Sequence, residues 1–319
     1  MPTKAREGRL GEIRYCVGAN VCIGRRYGHD QPVACVYNPS AGRETELEPL
    51  RPAAPPRRIV VVGAGPAGLE AARVAAERGH RVVLLEAATE LGGHIRLEAA
   101  IPHRQELSGI TDYYRRELER LGVETRLGTA ATADALRAER PDAVVVATGS
   151  RPALPEVPLD GLTVLTADAV LGGARAAGPV LVFDDDGRYR GPGAALLLAQ
   201  QGAPVEIVTP ELHVGMRLDP SNLVPFYRHL LRAGVNFTPN HDVRGASRGA
   251  VRLRNVFTGG EVERRGIETL VVSLLRRVPE DRLDHELRGR VEVHLVGDAS
   301  AARPTDRVIL EAAVLARRL

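Results

Sequence analysis

A chain of 319 residues is long enough for one large core or two ordinary ones, and its 44% hydrophobic and 26% charged residues are the proportions of a soluble globular protein. The net charge of +3 is spread along the chain with no basic block, and aromatic residues make up 3% with no Trp. That combination excludes a phosphate-gripping or base-stacking nucleic-acid surface. No apolar run is long enough to span a bilayer, and the opening MPTKAREGRLGEIRY lacks the apolar core of a signal peptide, so the expectation is a cytoplasmic protein with no membrane partner.

All three cysteines, Cys16, Cys22 and Cys35, fall within residues 1–50, among Gly, Asn, Pro and Ser residues that read as a loop. Clustered thiols in a cytoplasmic protein point to a metal or iron–sulfur site more than to a disulfide, and a metal would hold such a loop in shape. Residues 51–57, within RPAAPPRR, form a proline-rich linker.

The stretch that organises the chain follows. Ile59–Val62 is an apolar, β-branched run suited to a strand buried on both faces of a parallel sheet. It leads into Gly63-Ala64-Gly65-Pro66-Ala67-Gly68. In such a fingerprint Gly63 makes the tight turn, Gly65 admits a pyrophosphate to the backbone, and Gly68 lets the helix approach the strand. The helix predicted from Pro66 to Arg78 aims its free N–H groups and positive dipole end at the phosphates. After the second strand, Arg81–Leu85, Glu86 stands 23 residues beyond Gly63, where a carboxylate can accept the ribose hydroxyls. Leu91-Gly92-Gly93-His94 marks a further glycine turn, and Ile101-Pro102 an extended loop that could run along a cofactor. Glu106–Gly122 reads as an amphipathic helix, and Val123–Leu127 and Ala143–Ala147 as strands, the latter closing in Thr148-Gly149 at a crossing between domains.

A second βαβ unit spans strand Val180–Phe183, helix Gly193–Gly202 and strand Val205–Val208. Between its first strand and helix stands Asp184-Asp185-Asp186-Gly187-Arg188-Tyr189-Arg190-Gly191-Pro192-Gly193, where a nicotinamide cofactor needs a glycine fingerprint. Three carboxylates facing a pyrophosphate would cost about 1–4 kcal/mol each, so this half is expected to have the shape of a dinucleotide domain without its ligand. A helix over Leu223–Ala233, a hairpin around Thr258-Gly259, a strand over Thr269–Leu274, a strand over Val293–Val296 closed by Gly297-Asp298, and a terminal helix Ile309–Arg318 complete the reading. The fold class expected is α/β, with two Rossmann-like domains: residues 58–155 with 290–319, and residues 165–280 inserted between them. No Ser–His–Asp grouping and no redox CxxC is present, which argues against disulfide-reductase chemistry.

Taken together these residues resemble the C-terminal half of the old-yellow-enzyme-related family that includes trimethylamine dehydrogenase and 2,4-dienoyl-CoA reductase. The family loop reads C-I-G-C-N-x-C-I, a cysteine thirteen residues on, then N-P-x-x-G-R-E. Here it stands as Cys16-Val17-Gly18-Ala19-Asn20-Val21-Cys22-Ile23, then Cys35 and Asn38-Pro39-Ser40-Ala41-Gly42-Arg43-Glu44. The resemblance implies FAD, or ADP alone, held by Gly63, Gly65, Pro66, Ala67, Gly68, Glu86, Gly92, Gly93, Thr148, Gly149, Gly297 and Asp298. It further implies a 4Fe–4S or 3Fe–4S cluster on Cys16, Cys22 and Cys35. Ala19 replaces the expected fourth ligand, with His29 or Asp30 as substitutes; zinc on the three thiols and His29, or an empty loop, are the alternatives. The family's FMN-binding TIM barrel does not match any part of this sequence. Either the barrel is a separate subunit or this chain is a piece of a longer one, and the implied role is a redox component passing electrons between that barrel and a carrier such as an electron-transfer flavoprotein. The alternatives are an ADP-bound structural or regulatory subunit and an ordinary NAD(P)H-dependent flavin reductase.

Overall fold

The computed structural model describes residues 2–28, 30–247 and 249–319. The chain forms two compact units, Met1–Arg96 with Glu106–Arg151 and Pro279–Leu319, and Leu97–Gln105 with Pro152–Val278.

The first unit is built on a five-stranded sheet in the order Glu292–Leu295, Ala143–Val146, Arg58–Val62, Arg81–Leu85, Glu124–Arg126. Every pairing is parallel, with Val60 opposite both Val83 and Val144. The central strands carry continuous runs of Val, Ile and Leu because helices cover both faces. On one face Val60, Val62, Val83, Leu85, Val144 and Val146 pack with Leu136, Leu283 and Leu287. Each such side chain contributes about 1.5–3 kcal/mol on burial. Helix Pro66–Glu77 packs against the terminal helix Thr305–Ala316.

The second unit repeats the plan with a parallel sheet in the order Thr163–Thr166, Thr269–Ser273, Val180–Asp184, Val205–Val208, Asn236–Thr238. Alternate residues serve opposite faces. Val180, Val182, Ile207 and Val271 meet helix Arg190–Gln200 on one side. Leu181, Phe183, Leu270 and Val272 meet an antiparallel sheet of His241–Ser247, Ala250–Asn255 and Glu261–Arg265 on the other.

Several local expectations are corrected. The loop expected at Ile101-Pro102 does not lie open to a cofactor: it follows a helix, His94–Ala99, and Ile101 is fully buried in the core of the second unit. Residues 1–50 contain short helical turns at Pro2–Arg6, Leu10–Glu12, Val21–Ile23, Gly24–Gly28 and Glu44–Leu47. The helix expected from Gly193 begins at Arg190, because Pro192 falls in its first turn, where the missing N–H costs nothing. The terminal helix begins at Thr305. Among the described residues no helix is long and apolar enough to cross a membrane.

Candidate functional site: a glycine cradle in the first unit

The strand Arg58–Val62 ends in Gly63, whose φ of +100° no β-branched residue would adopt. A Cβ there would lie 2.4 Å from the Ala147 carbonyl oxygen, so the turn also needs a bare backbone to pass the neighbouring strand. Gly68 is more constrained, since its Cβ would fall 1.8 Å from the Gly63 carbonyl oxygen. Gly65 is different: a Cβ there would meet nothing within 4 Å. Two of the three glycines therefore serve internal packing, and the third faces open space at the first turn of helix Pro66–Glu77, with Pro66 at its start. That is the geometry by which a pyrophosphate reaches helix N–H groups. Gly93 stands across from it, its Cβ position 2.9 Å from the Gly65 Cα, and the Gly92 N–H donates to the Ala64 carbonyl at 2.9 Å.

Glu86 is fixed by the same turn. One carboxylate oxygen accepts from the Ala64 N–H at 2.5 Å and the other from the Ala88 N–H at 2.8 Å. A carboxylate offers about four lone-pair directions, so two remain for vicinal ribose hydroxyls.

The late residues reach the same turn. Gly297 has φ +69°, and a Cβ on it would come 2.7 Å from the Ala67 Cβ, so the end of strand Glu292–Leu295 abuts the start of the first helix. Its N–H donates to Glu311 at 2.9 Å, and Glu311 also receives Arg303 at 2.7 Å. The Asp298 carboxylate accepts from Ser150 Oγ at 3.1 Å and from the Arg303 N–H at 3.2 Å, and His94 Nδ1 lies 3.9 Å away. Thr148 Oγ1 donates to the Glu280 carbonyl, while the Gly149 carbonyl accepts from the Glu280 N–H at 2.9 Å. Ser150, Arg303 and Glu311 carry no motif in sequence; only the fold brings them to Asp298.

This arrangement fits a dinucleotide: one glycine left open, a helix start, and a carboxylate whose free lone pairs remain after backbone anchoring. In a flavin site the adenosine would rest on Glu86, the pyrophosphate on Gly65, and Asp298 would offer its carboxylate to a polyol hydroxyl.

The second unit presents the opposite picture. Asp184 and Asp186, expected to face a pyrophosphate, are both fully buried. A Cβ on Gly191 would lie 2.5 Å from the Asp184 carboxylate, so that side chain sits against the first turn of helix Arg190–Gln200. Burial, reinforced by the nearby Asp186, holds the Asp184 carboxyl well above the usual carboxylate range. Asp186 is ion-paired with Arg190 at 3.0 Å, and Arg190 and Arg277 reach Asp168 at 3.8 and 2.8 Å. Gly193 is a packing glycine: its Cβ would strike Ile101 at 2.7 Å. The carboxylates of Asp184 and Asp186 are thus turned into the protein, which corrects the picture of charges pointing at a ligand.

The cysteines do not converge. Cys16 and Cys22 are exposed, Cys35 is half-buried, and all three are free thiols. Among the described residues no three Cys, His, Asp or Glu side chains are grouped to hold a metal ion. His29 lies outside the described residues, and Asp30 is exposed and ion-paired with Arg26. These residues do not fit an iron–sulfur cluster or a zinc ion, although their spacing suggests one.

Comparison with known proteins places this geometry. The chain is 36% identical over 96% of its length to a probable N-methylproline demethylase of Rhizobium meliloti, covering 50% of that protein. It is 41% identical over 89% of its length to an N,N-dimethylglycine/sarcosine dehydrogenase of Chromohalobacter salexigens, covering 43% of it. It thus spans about half the length of these curated relatives. The solved structure of histamine dehydrogenase from Rhizobium sp. 4-9 superposes on all of the chain with a TM-score of 0.92 at 29% identity, over 53% of that protein. The pattern of the pyridine nucleotide-disulphide oxidoreductases matches residues 57–293, and the chain belongs to that family.

Proposed function

We propose that this chain is the FAD-carrying, electron-transferring part of an oxidoreductase related to the amine dehydrogenases. The observation that carries the reading is the cradle itself, in which Gly65 at the helix start is left open while Gly63, Gly68, Gly93 and Glu86 are locked around it. When bound, FAD would supply the exchange of electrons, and the protein's share is to hold and orient it. The open backbone at Gly65 and the helix start behind it would take the pyrophosphate, Glu86 the ribose, and Asp298, fixed by Ser150 and the Arg303 N–H, the polyol chain. The second unit is proposed to carry no nicotinamide cofactor, because Asp184 and Ile101 fill the places where one would approach.

The partner reading is that a barrel-type FMN protein delivers electrons and an external carrier, such as an electron-transfer flavoprotein, removes them. It is supported by five large apolar side chains within residues 10–33 that stand in solvent: Leu10, Tyr15, Ile23, Val33 and Tyr27, the last 83% exposed.

The test is a visible absorption spectrum of the purified protein with the nucleotide released on denaturation identified. Oxidised-flavin bands and released FAD agree with the proposal. A colourless protein releasing ADP, or nothing, overturns it in favour of a structural subunit. Bleaching of the flavin by NADH or NADPH alone contradicts the closed second unit.

A further inference from the structure

We infer that the N-terminal segment of residues 9–47 is organised by the Arg14 guanidinium and not by a metal, so that its three thiols are dispensable to its fold. A closed loop of this length needs something to tie its ends together, and in a cysteine loop a metal ordinarily does so. Here Arg14 does it. One terminal nitrogen donates to both the Tyr37 carbonyl and the Asn38 side-chain oxygen at 2.9 Å. The other lies 3.4 Å from Glu70, on helix Pro66–Glu77. Glu70 is fully buried and is also gripped by Arg73 at 2.8 and 2.9 Å. The flat guanidinium stacks over Tyr113 of helix Ser108–Arg120 at 4.7 Å. One side chain thus joins residues 37–38 to two helices of the scaffold, a task for a planar, forked donor that an ammonium performs poorly.

The rest of the segment follows that anchor. The Tyr37 hydroxyl donates back to the Tyr15 carbonyl, and its ring packs edge-on against Tyr113 with centroids 5.8 Å apart. Ile13, Val17, Tyr37 and Leu47 are buried, and Arg317 holds the Leu47 carbonyl at 3.0 Å. Between these anchors Cys16 and Cys22 are exposed and free, while Val17 turns inward. Ala19 then costs the segment nothing, since no four-thiolate site is being completed.

The experiment compares wild type, the triple variant Cys16→Ala/Cys22→Ala/Cys35→Ala, and Arg14→Met in the full chain. Trypsin cleavage within the segment, which carries Arg25, Arg26 and Arg43, reads its order, and reaction with a thiol reagent reads access to sulfur. Both are measured anaerobically with and without added ferrous iron and sulfide. The expected result is two fast thiols and one slow one in wild type, unchanged by iron and sulfide. Cleavage of the triple variant should stay within about twofold of wild type, and that of Arg14→Met should rise about tenfold or more. If Arg14→Met fails to fold, Arg14→Lys, which keeps the charge and loses the fork, should raise cleavage by a smaller factor. The inference is overturned if the triple variant is cleaved as fast as either Arg14 variant, if neither Arg14 variant differs from wild type, or if iron and sulfide protect all three thiols.

Discussion

The two units solve the same βαβ problem with opposite endings. In the first, the strand leaves into Gly63 and the helix opens on Gly65, beside which the structure leaves room. In the second, the strand ends in Asp184, and the helix start at Gly191 is already covered by that aspartate. Both contain glycines next to a helix N-terminus, so glycine count does not distinguish a ligand site from a packed one. What distinguishes them is what each missing Cβ would touch: open space at Gly65, a carboxylate at Gly191 and the fully buried Ile101 at Gly193.

That contrast breaks most sharply at Gly65. Its φ of −73° suits any residue, so Gly65→Val should fold with wild-type stability yet lose nucleotide, with affinity down about a hundredfold or more because the branched side chain would fill the proposed pyrophosphate position. Equilibrium dialysis of the refolded protein with FAD, together with its melting curve, separates the two effects. The reverse holds at Gly193: Gly193→Ala should leave nucleotide content unchanged and destabilise by about 1–3 kcal/mol through overpacking against Ile101, measured by urea unfolding. A smaller loss is expected from Glu86→Gln, which keeps one backbone bond but gives up an acceptor; affinity for the adenosine part should fall about tenfold, read by titration with ADP.

The smallest effect concerns Asp184. Its carboxyl is held above the usual range by burial, so the folded state binds that proton more tightly than the unfolded chain does. The associated stability is full at low pH and is lost as pH rises from the ordinary carboxylate range through the raised folded value. Asp184→Asn, which mimics the protonated acid, should therefore flatten that pH dependence and raise stability at pH 8 by about 1 kcal/mol, a melting shift of about 2–4 °C. A variant less stable than wild type at every pH would mean that the ionised form is the native one.

How much of this was legible in the sequence follows from how local each feature is. The strands Arg81–Leu85 and Val205–Val208, and the turn from Gly63 into helix Pro66–Glu77, depend on neighbours in the chain, and their pattern suffices. The hairpin of Ala250–Asn255 and Glu261–Arg265 is marked by Thr258-Gly259, but its third strand, His241–Ser247, is not. That strand is polar at His241, Asp242 and Arg244 and its register is interrupted between Val243 and Gly245, so its alternation is broken. The direction of Asp184 was illegible because it depends on how closely the helix start at Gly191 approaches, and the role of Ile101 because residues 97–105 are drawn into the second unit's core from elsewhere in the chain. The cysteine spacing pointed to a metal, whereas Arg14 and Glu70 stand 56 positions apart, a separation that no local motif announces.

The most direct measurement is the nucleotide stoichiometry of the purified chain, by chromatography of what denaturation releases. One FAD per chain, falling to none in Gly65→Val and unchanged in Gly193→Ala, is the predicted result. Two nucleotides per chain, or a nucleotide retained when Gly65 is filled, would contradict the division of labour between the two units.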